Sequence, residues 1–243
     1  MNTCRGLRTR FYRHLTMLPT LLLPILLAAV TPGGAGELMA QDHFEHDYGQ
    51  WAIEQMPGGH CSIAGGVLTV EDEAGCTVWW REKLTAPLVI TYEATVIQAG
   101  GPHDRVSDLN CFWLATDPAR PDFLAPGHGR TGKFEDYDRL RTYYVGLGGN
   151  ENTTTRFRRY AGDGTKPLLP EHDRRERAVL LEGNRPYRIS IVALADGTVR
   201  YSRDGELIFE YRDPAPLKEG WFGFRTVHSH LRIRNFQVSR PAP

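Results

Sequence analysis

The sequence has no excess of charge of either sign, because its 29 Lys and Arg residues balance its 29 Asp and Glu residues. A protein whose main partner is nucleic acid normally carries a basic excess, so this balance argues against that class of partner. Long helices are not indicated either, since no segment after residue 30 repeats apolar residues with a period of 3.6. The composition includes 25 Gly and 16 Pro residues, which favours many short strands and turns.

Cysteine is scarce: the chain has four, and none of them form a CxxC pair, so a structural zinc site is not expected. Cys61 and Cys76 flank the predicted hairpin GGVLTVEDEAG and can meet, but the sequence leaves open whether they are joined. Cys111 lies in an apolar stretch, which is typical of a buried free thiol.

No metal site and no cofactor are predicted. Two Asp-Pro pairs, at Asp117 and Asp213, have the pattern of elements that turn a loop. A structural calcium ion at either pair is left open, because carboxylate oxygens are ligands that calcium prefers.

The only long apolar run, Met17–Val30, has 14 residues and follows four arginines between positions 5 and 13. A membrane-spanning helix needs roughly 20 apolar residues, so the run is too short. Small residues follow it, and cleavage after Ala35 or after Ala40 fits a secretory signal peptide. We therefore predict a signal peptide over 1–40, a secreted or periplasmic protein, and no stable membrane anchor after cleavage. An N-terminal anchor is the alternative.

Short strand-like runs separated by turn residues follow the leader, and Asp204-Gly205 between two of them is a strong hairpin signal. No linker and no internal repeat divide them, so residues 41–243 are predicted to form one all-β, two-sheet antiparallel sandwich. A short helix is expected near His172–Leu180. The predicted strands are Val67–Val70, Thr77–Trp80, Leu88–Val96, Leu109–Ala115, Thr142–Leu147, Thr154–Tyr160, Tyr187–Leu194, Thr198–Ser202, Leu207–Tyr211, Trp221–Thr226 and Leu231–Val238.

Alternation along these strands separates core side chains from a second, more polar face. Gly146 and Gly148 on that face would let a ligand approach the backbone. Aromatic rings stack on the apolar side of a sugar, while amides and guanidinium groups bind its hydroxyls or acidic groups. The alternative is an ordinary solvated sheet face. The candidate substrate-binding residues are Asn110, Asn150, Arg156, Arg158, Trp221 and Arg225.

Three blocks carry a family resemblance: the C-terminal GWFGFRTVHSHLRIRNFQV, and the central GGPHDRVSDLNCFWLATDP and YYVGLGGNENTTTRFRRY. Together they resemble jelly-roll domains of the concanavalin A-like lectin and glucanase type, in a group of bacterial secreted domains catalogued as a domain of unknown function. The resemblance implies two curved antiparallel sheets and a carbohydrate-binding concave face. It implies no particular reaction, because such folds include lectins, glycosidases and polysaccharide lyases.

The candidate catalytic residues are His103, which neighbours Asp104, together with Tyr144 and His230, because His and Tyr can transfer protons. The E-x-D-x-x-E strand of laminarinase-like jelly rolls is missing, which disfavours that hydrolase type. YYVGLGGN resembles the late strand of jelly-roll alginate lyases only loosely, and Gly149 stands where the catalytic tyrosine of that family would be.

The sequence thus predicts a secreted, monomeric carbohydrate-active protein that cleaves a polysaccharide or oligosaccharide, as a lyase or a hydrolase, with acidic sugars mildly favoured. One alternative is a carbohydrate-binding module without catalysis, which would use the same face and need no base. The other is a structural envelope protein that binds no sugar.

Overall fold

The computed structural model describes Met1 and residues 36–242. Residues 36–242 lie in one compact unit. The predicted signal peptide lies outside the described residues, apart from Met1 and its last few positions, where the first strand begins at Leu38. No helix in the described part of the chain is long and apolar enough to cross a membrane.

Residues 36–242 form sixteen strands and almost no helix, as the sequence predicted. In chain order the strands are β1 (Leu38–Asp42), β2 (Trp51–Gln55), β3 (His60–Ala64), β4 (Val67–Asp72), β5 (Cys76–Trp80), β6 (Leu84–Thr85), β7 (Leu88–Val96), β8 (Leu109–Thr116), β9 (Arg141–Gly148), β10 (Thr154–Ala161), β11 (Asp173–Arg174), β12 (Pro186–Ala193), β13 (Thr198–Arg203), β14 (Glu206–Arg212), β15 (Glu219–Thr226) and β16 (Ser229–Ser239).

The strands form two antiparallel sheets that pack face to face. The front sheet has the order β11-β10-β9-β8-β15-β5-β2, with β6 beside β15. The back sheet has the order β14-β13-β12-β7-β16-β4-β3, with β1 beside β16. Some neighbours in each sheet are consecutive hairpin strands, such as β9 and β10, and others are distant in sequence, since β8 pairs with β15 and β7 pairs with β16. The predicted two-sheet sandwich is therefore confirmed.

Each of the predicted strands is present with its bounds shifted by a few residues at most, while β1, β2, β3, β6 and β11 were not predicted. These five strands have two to five residues each, which is too short for a clear apolar alternation. The predicted helix near His172–Leu180 consists of two 3₁₀ turns, Pro170–His172 and Arg177–Val179.

Alternation assigned the core side chains of the front sheet correctly in most strands. Cys111, Trp113, Tyr143 and Val145 all lie in the core between the sheets, as their positions on alternating strands predict. A β-bulge interrupts β8 after Trp113 and changes the alternation there.

Ala115 was predicted to lie in the core with Trp113, and this is wrong. Leu114 has a positive φ of 50° at the bulge, so it occupies the core and Ala115 turns to the outer face of the front sheet. A bulge adds one residue to a strand, and every side chain beyond it changes face.

A second apolar cluster lies on the outer face of the front sheet, away from the core. Residues 117–140, which we call the covering segment, cross this face and bury Phe123, Tyr137 and Leu140 against it. Trp79 and Phe112 of the sheet lie beneath them, and their rings stack at 5.6 Å. The covering segment leaves the side of the face nearest β9 and β10 open.

Candidate functional site

The outer face of the front sheet carries a continuous row of polar and charged residues. Arg225 of β15 lies beside Asn110 of β8, Asn110 beside Gly146 of β9, and Gly146 beside Arg156 of β10. Arg156 in turn lies beside Asp173 of β11. Residues from five strands therefore lie side by side on one face of the front sheet, as the alternation along each strand requires.

An open pocket of about 560 Å³ lies at the β9–β10 side of this row. Three aromatic and four cationic side chains line it, together with two carboxylates and several small polar groups. The pocket is lined by Arg105, Asp108, Phe134, Tyr144, Gly146, Gly149, Asn150, Glu151, Thr154, Arg156, Arg158, Tyr160, Lys166 and Val227. A smaller hollow of about 420 Å³ on the outer face of the back sheet has no aromatic side chain among its lining residues.

Three of the four cations in the open pocket have a carboxylate partner. Arg105 Nη2 donates to Asp108 Oδ2 at 2.8 Å, and Arg156 Nε donates to Asp173 Oδ1 at 2.8 Å. Lys166 Nζ donates to Asp138 Oδ1 at 2.6 Å.

Arg158 is the cation that differs from these three. Its Nη1 donates to the carbonyl oxygen of Lys166, and no carboxylate of residues 36–242 lies within 4 Å of its guanidinium. A half-buried guanidinium with free donors suits an acidic ligand group, since it can form paired hydrogen bonds with a carboxylate or a sulfate.

The aromatic wall of the open pocket consists of Phe134, Tyr144 and Tyr160. The ring of Tyr144 lies 5.7 Å from the ring of Tyr160 and 5.7 Å from that of Phe134. Burial raises the pKa of Tyr144 well above its usual value, and the nearby Tyr160 and Asp108 raise it further. The phenol of Tyr144 therefore stays protonated at neutral pH and can donate a hydrogen bond to a ligand.

The rim of the open pocket is a left-handed turn over Gly149–Asn152. Asn150, Glu151 and Asn152 have φ values of 51°, 56° and 58°, a conformation that L-residues rarely adopt in succession. Asn152 holds the turn in place, because its amide donates to the carbonyl of Leu181 at 3.0 Å and accepts from the Leu181 N–H at 2.8 Å. The turn thereby presents Asn150 and Glu151 to the open pocket.

The two glycines predicted on this face have different surroundings. Gly146 lines the open pocket, where a Cβ atom would lie 3.0 Å from the Tyr144 hydroxyl. Gly148 has a φ of 67°, and its Cβ would meet the Leu181 side chain in the core. The prediction that a ligand approaches the backbone at Gly148 is therefore wrong, because the positive φ turns this residue towards the interior.

Four of the predicted site residues, Tyr144, Asn150, Arg156 and Arg158, line the open pocket together. Asn110 does not line it. Asn110 is buried below the pocket, and its Nδ2 donates to Asp108 Oδ1 at 3.2 Å. Its Oδ1 accepts no hydrogen bond within residues 36–242. Asn110 therefore supports Asp108, and its contact with substrate stays a prediction.

Arg225 and Trp221 lie under the covering segment, so their predicted contact with substrate is not supported. Arg225 is 2% exposed, donates to the carbonyl of Gly132, and lies 5.3 Å from the Tyr137 ring. Trp221 is stacked face to face by Phe123, with the ring centroids 4.7 Å apart and the planes at 11°. Protein groups occupy the positions that a ligand would need.

His103 and His230 are not among the residues that line the open pocket, so a catalytic role for them beside Tyr144 stays a prediction. His230 is on β16 of the back sheet, and its side chain faces outward because its neighbour Leu231 occupies the core. His230 Nδ1 lies 2.8 Å from Asp104 Oδ1 and 3.7 Å from Glu71 Oε1. The ring of His103 packs edge to face on His228 at 5.9 Å.

Sequence reasoning missed several members of the open pocket. Lys166 and Phe134 come from loops whose paths no strand periodicity predicts, and Glu151 comes from the left-handed turn. Tyr160 was assigned to the correct face, but its place in the pocket wall depends on β10 lying beside β9. The pattern GGNEN after β9 was the available signal for a tight turn at the rim.

The described residues contain no group of three or more His, Cys, Asp or Glu side chains that could hold a metal ion. The two Asp-Pro pairs turn loops as predicted: Asp117 accepts from the Ala119 N–H at 2.9 Å, and Asp213 accepts from the Ala215 N–H at 2.8 Å. Asp213 also accepts from the Tyr143 hydroxyl at 2.7 Å.

Solved structures with the same fold include proteins of several kinds. A protein of unknown function with a galectin-like fold from Bacillus subtilis is 19% identical and has a TM-score of 0.68, over 86% of this chain and 99% of that chain. The carbohydrate binding module CBM66 from Bacillus subtilis is 10% identical, with a TM-score of 0.53 over 78% of this chain and 95% of that one.

The exoplasmic/lumenal domain of VIP36, in its Ca²⁺/Man3GlcNAc-bound form, is 11% identical, with a TM-score of 0.51 over 83% of this chain and 90% of that one. At these identities the likeness establishes the fold alone, and it confirms the predicted jelly-roll sandwich. No curated protein matches the chain.

A family model described as "Domain of unknown function (DUF6250)" matches residues 70–236, which span most of both sheets. This match confirms the resemblance to a domain of unknown function that the sequence blocks indicated. The chain belongs to the family described as Domain of unknown function (DUF6250).

Proposed function

We propose that this protein binds an acidic glycan in the open pocket. The observation that carries the proposal is the pairing of an aromatic wall with Arg158, a cation that has no carboxylate partner in residues 36–242. The ring of Phe134 is partly exposed and offers a surface for the apolar side of a sugar, while Tyr144, 7% exposed, packs against it. Arg158 then offers donors for the acidic group on the same sugar unit.

The position of Arg158, and not the net charge of the open pocket, favours one anionic group over a neutral ligand, because the Glu151 carboxylate at the rim offsets one positive charge. Arg105, Arg156 and Lys166 are each neutralised by a nearby carboxylate, so they contribute little net charge. Arg158 is not neutralised in this way, and it is only partly exposed to water. A carboxylate or sulfate at this position would accept from the guanidinium donors that no protein carboxylate uses.

Binding is better supported than cleavage of the glycan, the reaction predicted from sequence. No histidine is among the residues that line the open pocket, and the raised pKa of Tyr144 makes its phenol a poor base at neutral pH. Asp108 is held by three donors, from Arg105, Ser107 and Asn110. Polysaccharide cleavage therefore stays a prediction, and the experiment below includes a test of it.

The neighbouring folds support a glycan as the ligand. CBM66 is named as a carbohydrate binding module, and the VIP36 domain was solved with a mannose-containing glycan. The open pocket lies on the outer face of one sheet of the sandwich, which is the kind of surface that the family resemblance implied for sugar binding.

Export to the cell surface or periplasm is part of the proposal. Leu38–Asp42 pairs with β16, so cleavage after Ala35 leaves β1 whole, whereas cleavage after Ala40 removes half of it. We therefore expect Gly36 to be the first residue of the mature protein. N-terminal sequencing of exported protein checks this, and a start at Gln41 would contradict it.

The experiment is a calorimetric titration of the purified protein with uronate-rich, sulfated and neutral polysaccharides. Arg158→Gln should weaken binding of an acidic glycan by about 10- to 100-fold, because a charge-assisted hydrogen bond contributes about 1.5–3 kcal/mol. Arg188→Gln is the matched control, since Arg188 is an exposed arginine on the back sheet. Equal affinity for neutral glycans, or no effect of Arg158→Gln, would overturn the proposal.

The mixtures of protein and polysaccharide from this titration also test whether the protein cleaves the polysaccharide. A lyase would release unsaturated uronates that absorb in the ultraviolet, and a hydrolase would release new reducing ends. Binding of an acidic glycan without either product supports a binding module. Product formation that Tyr144→Phe abolishes would restore the catalytic assignment of Tyr144.

A further inference from the structure

Two thiols face each other where the chain crosses between the two sheets. Cys61 lies on β3, the edge strand of the back sheet, and Cys76 is the first residue of β5 in the front sheet. Their Sγ atoms are 3.7 Å apart, although fifteen positions separate them in sequence. Cys61 is partly exposed, whereas Cys76 is buried.

Hydrogen bonds that do not involve the thiols hold this crossing in place. Gln55 Nε2, at the end of β2, donates to the carbonyl of Glu71 at 2.9 Å and to Asp72 Oδ1 at 3.2 Å. The hydroxyl of Tyr48 donates to the carbonyl of Cys61 at 2.7 Å. The two sulfur atoms are therefore kept in contact by the surrounding fold, which lowers the entropy cost of joining them.

We propose that Cys61 and Cys76 form an intramolecular disulfide that joins the front sheet to the back sheet. This inference is independent of the proposed glycan binding, because both cysteines lie outside the open pocket. The bond would fix an edge strand of one sheet to an inner strand of the other.

The oxidation needs a small-molecule disulfide as the oxidant. The Cys61 thiolate attacks one sulfur of that disulfide, whose S–S bond breaks and releases a first thiolate. Cys76 then gives its proton to solvent and attacks the Cys61 sulfur of the mixed disulfide, which releases the second thiolate. The two cysteines lose two electrons and two protons, and the oxidant is reduced to two thiols.

The difference in exposure between the two thiols determines that Cys61 reacts first and Cys76 second. Cys61 is the one that an oxidant can reach, since Cys76 is about 1% exposed. The contact with Cys61 and burial both raise the pKa of Cys76 well above its usual value. Cys76 is therefore the resolving thiol, and it reacts with the sulfur already in contact with it.

Cys111 serves as an internal control. It lies on β8 in the core and is 0% exposed, and burial raises its pKa to about 12. A small-molecule disulfide cannot reach the buried Cys111 sulfur, and the raised pKa keeps this sulfur in its unreactive thiol form at neutral pH. Cys111 is expected to remain a free thiol under conditions that oxidise the other pair.

The test uses the full chain, treated with oxidised glutathione and then alkylated in denaturant. Trypsin leaves both cysteines on one peptide, because no Lys or Arg lies between Arg13 and Arg81. Cleavage after Glu71 and Glu73 separates them. We expect Cys111 to be alkylated, and the Cys61 and Cys76 peptides to stay linked until a reductant is added.

Alkylation of Cys61 and Cys76 after this treatment would overturn the proposal, as would a linkage to Cys4 or Cys111. A second measurement compares thermal unfolding with and without reductant. Closing a loop of this length should raise Tm by about 6–12 °C in a protein of this size. Cys61→Ser should abolish the effect of reductant on Tm and Cys111→Ser should not. If a variant does not fold, the alkylation pattern of the wild-type chain decides.

Discussion

The outer face of the front sheet has two halves that share residue types but differ in what covers them. In one half, the covering segment places Phe123 on Trp221 and buries Arg225, so the protein's own groups fill the surface. In the other half, Tyr144 and Arg158 line a pocket that is open to solvent. An aromatic and cationic composition therefore suits both a ligand site and a small apolar cluster.

The two halves also differ in how their charges are compensated. In the covered half, Glu54 accepts from Arg130 Nε at 3.0 Å and from the Tyr137 hydroxyl at 2.8 Å, and all three groups are buried. In the open half, Arg158 has no such partner within residues 36–242. A buried cation needs internal partners, which are the Glu54 carboxylate for Arg130 and the Gly132 carbonyl for Arg225, whereas the partner of a cation at a binding site can come from the ligand.

The largest effect is expected in the covered half, from Glu54→Ala. The change leaves Arg130, which is 7% exposed, without its main partner. Breaking a buried ion pair from one side should lower the free energy of unfolding by about 3–5 kcal/mol, measured by urea denaturation. Glu210→Ala is the control, because Glu210 pairs with Arg200 on the surface and should cost under about 1 kcal/mol. A loss as small as the control's would show that this pair does not hold the covering segment.

An intermediate effect is expected from Trp221→Leu. Phe123 covers the face of the Trp221 ring, so the change should lower the free energy of unfolding by about 1–3 kcal/mol and leave glycan affinity unchanged. Trp221→Phe retains an aromatic ring for the stack and should cost less. A tenfold fall in affinity with Trp221→Leu would instead restore Trp221 as a ligand-binding residue.

The smallest effect is expected in the open half, from Asp173→Asn. Hydrogen bonds from Arg156 and then Arg175 lower the pKa of Asp173 to about 2. Because this value lies below that of an unfolded chain, about 3.9, the ionised carboxylate stabilises the fold above about pH 4. That contribution is lost as the pH falls from about 4 to 2. The variant should lack this part of the acid dependence of unfolding.

The same substitution should change binding. With Asp173 neutral, Arg156 becomes a second uncompensated cation in the open pocket, and affinity for an acidic glycan should rise about threefold to fivefold. Asp196→Asn is the control, because hydrogen bonds with Thr198 lower the pKa of Asp196 on a back-sheet hairpin. Calorimetry at neutral pH measures both variants. An equal rise in affinity with Asp196→Asn would point to net charge alone.

Strand alternation predicted the fold and about half of the candidate site. It placed Tyr143 in the core and Tyr144 outside, because successive side chains on a strand point to opposite faces. It also placed Arg156 and Arg158 on the outer face, and both line the open pocket. It failed at Ala115, because the bulge at Leu114 adds a residue to the strand.

Alternation predicts on which face of a strand a side chain lies, but it does not predict the sheet to which that strand belongs. His230 does point away from the core, as Leu231 next to it requires, but β16 lies in the back sheet. The path of the covering segment was equally hidden, because Phe123 and Tyr137 come from a Pro- and Gly-rich loop without periodicity. Contacts between segments that are distant in sequence determine both the sheet that β16 joins and the path of the covering segment.

The covering segment also limits the shape of a ligand. On many open sheet faces a long polymer can lie across all the strands, but here Phe134 closes one end of the hollow and Phe123 blocks the surface beyond it. A polysaccharide that entered beside Tyr160 would meet a wall before it reached β15. If the pocket binds a glycan as proposed, we expect the recognised unit to be a terminus or a side branch of a few sugars, and we expect an internal stretch of a linear chain to be excluded.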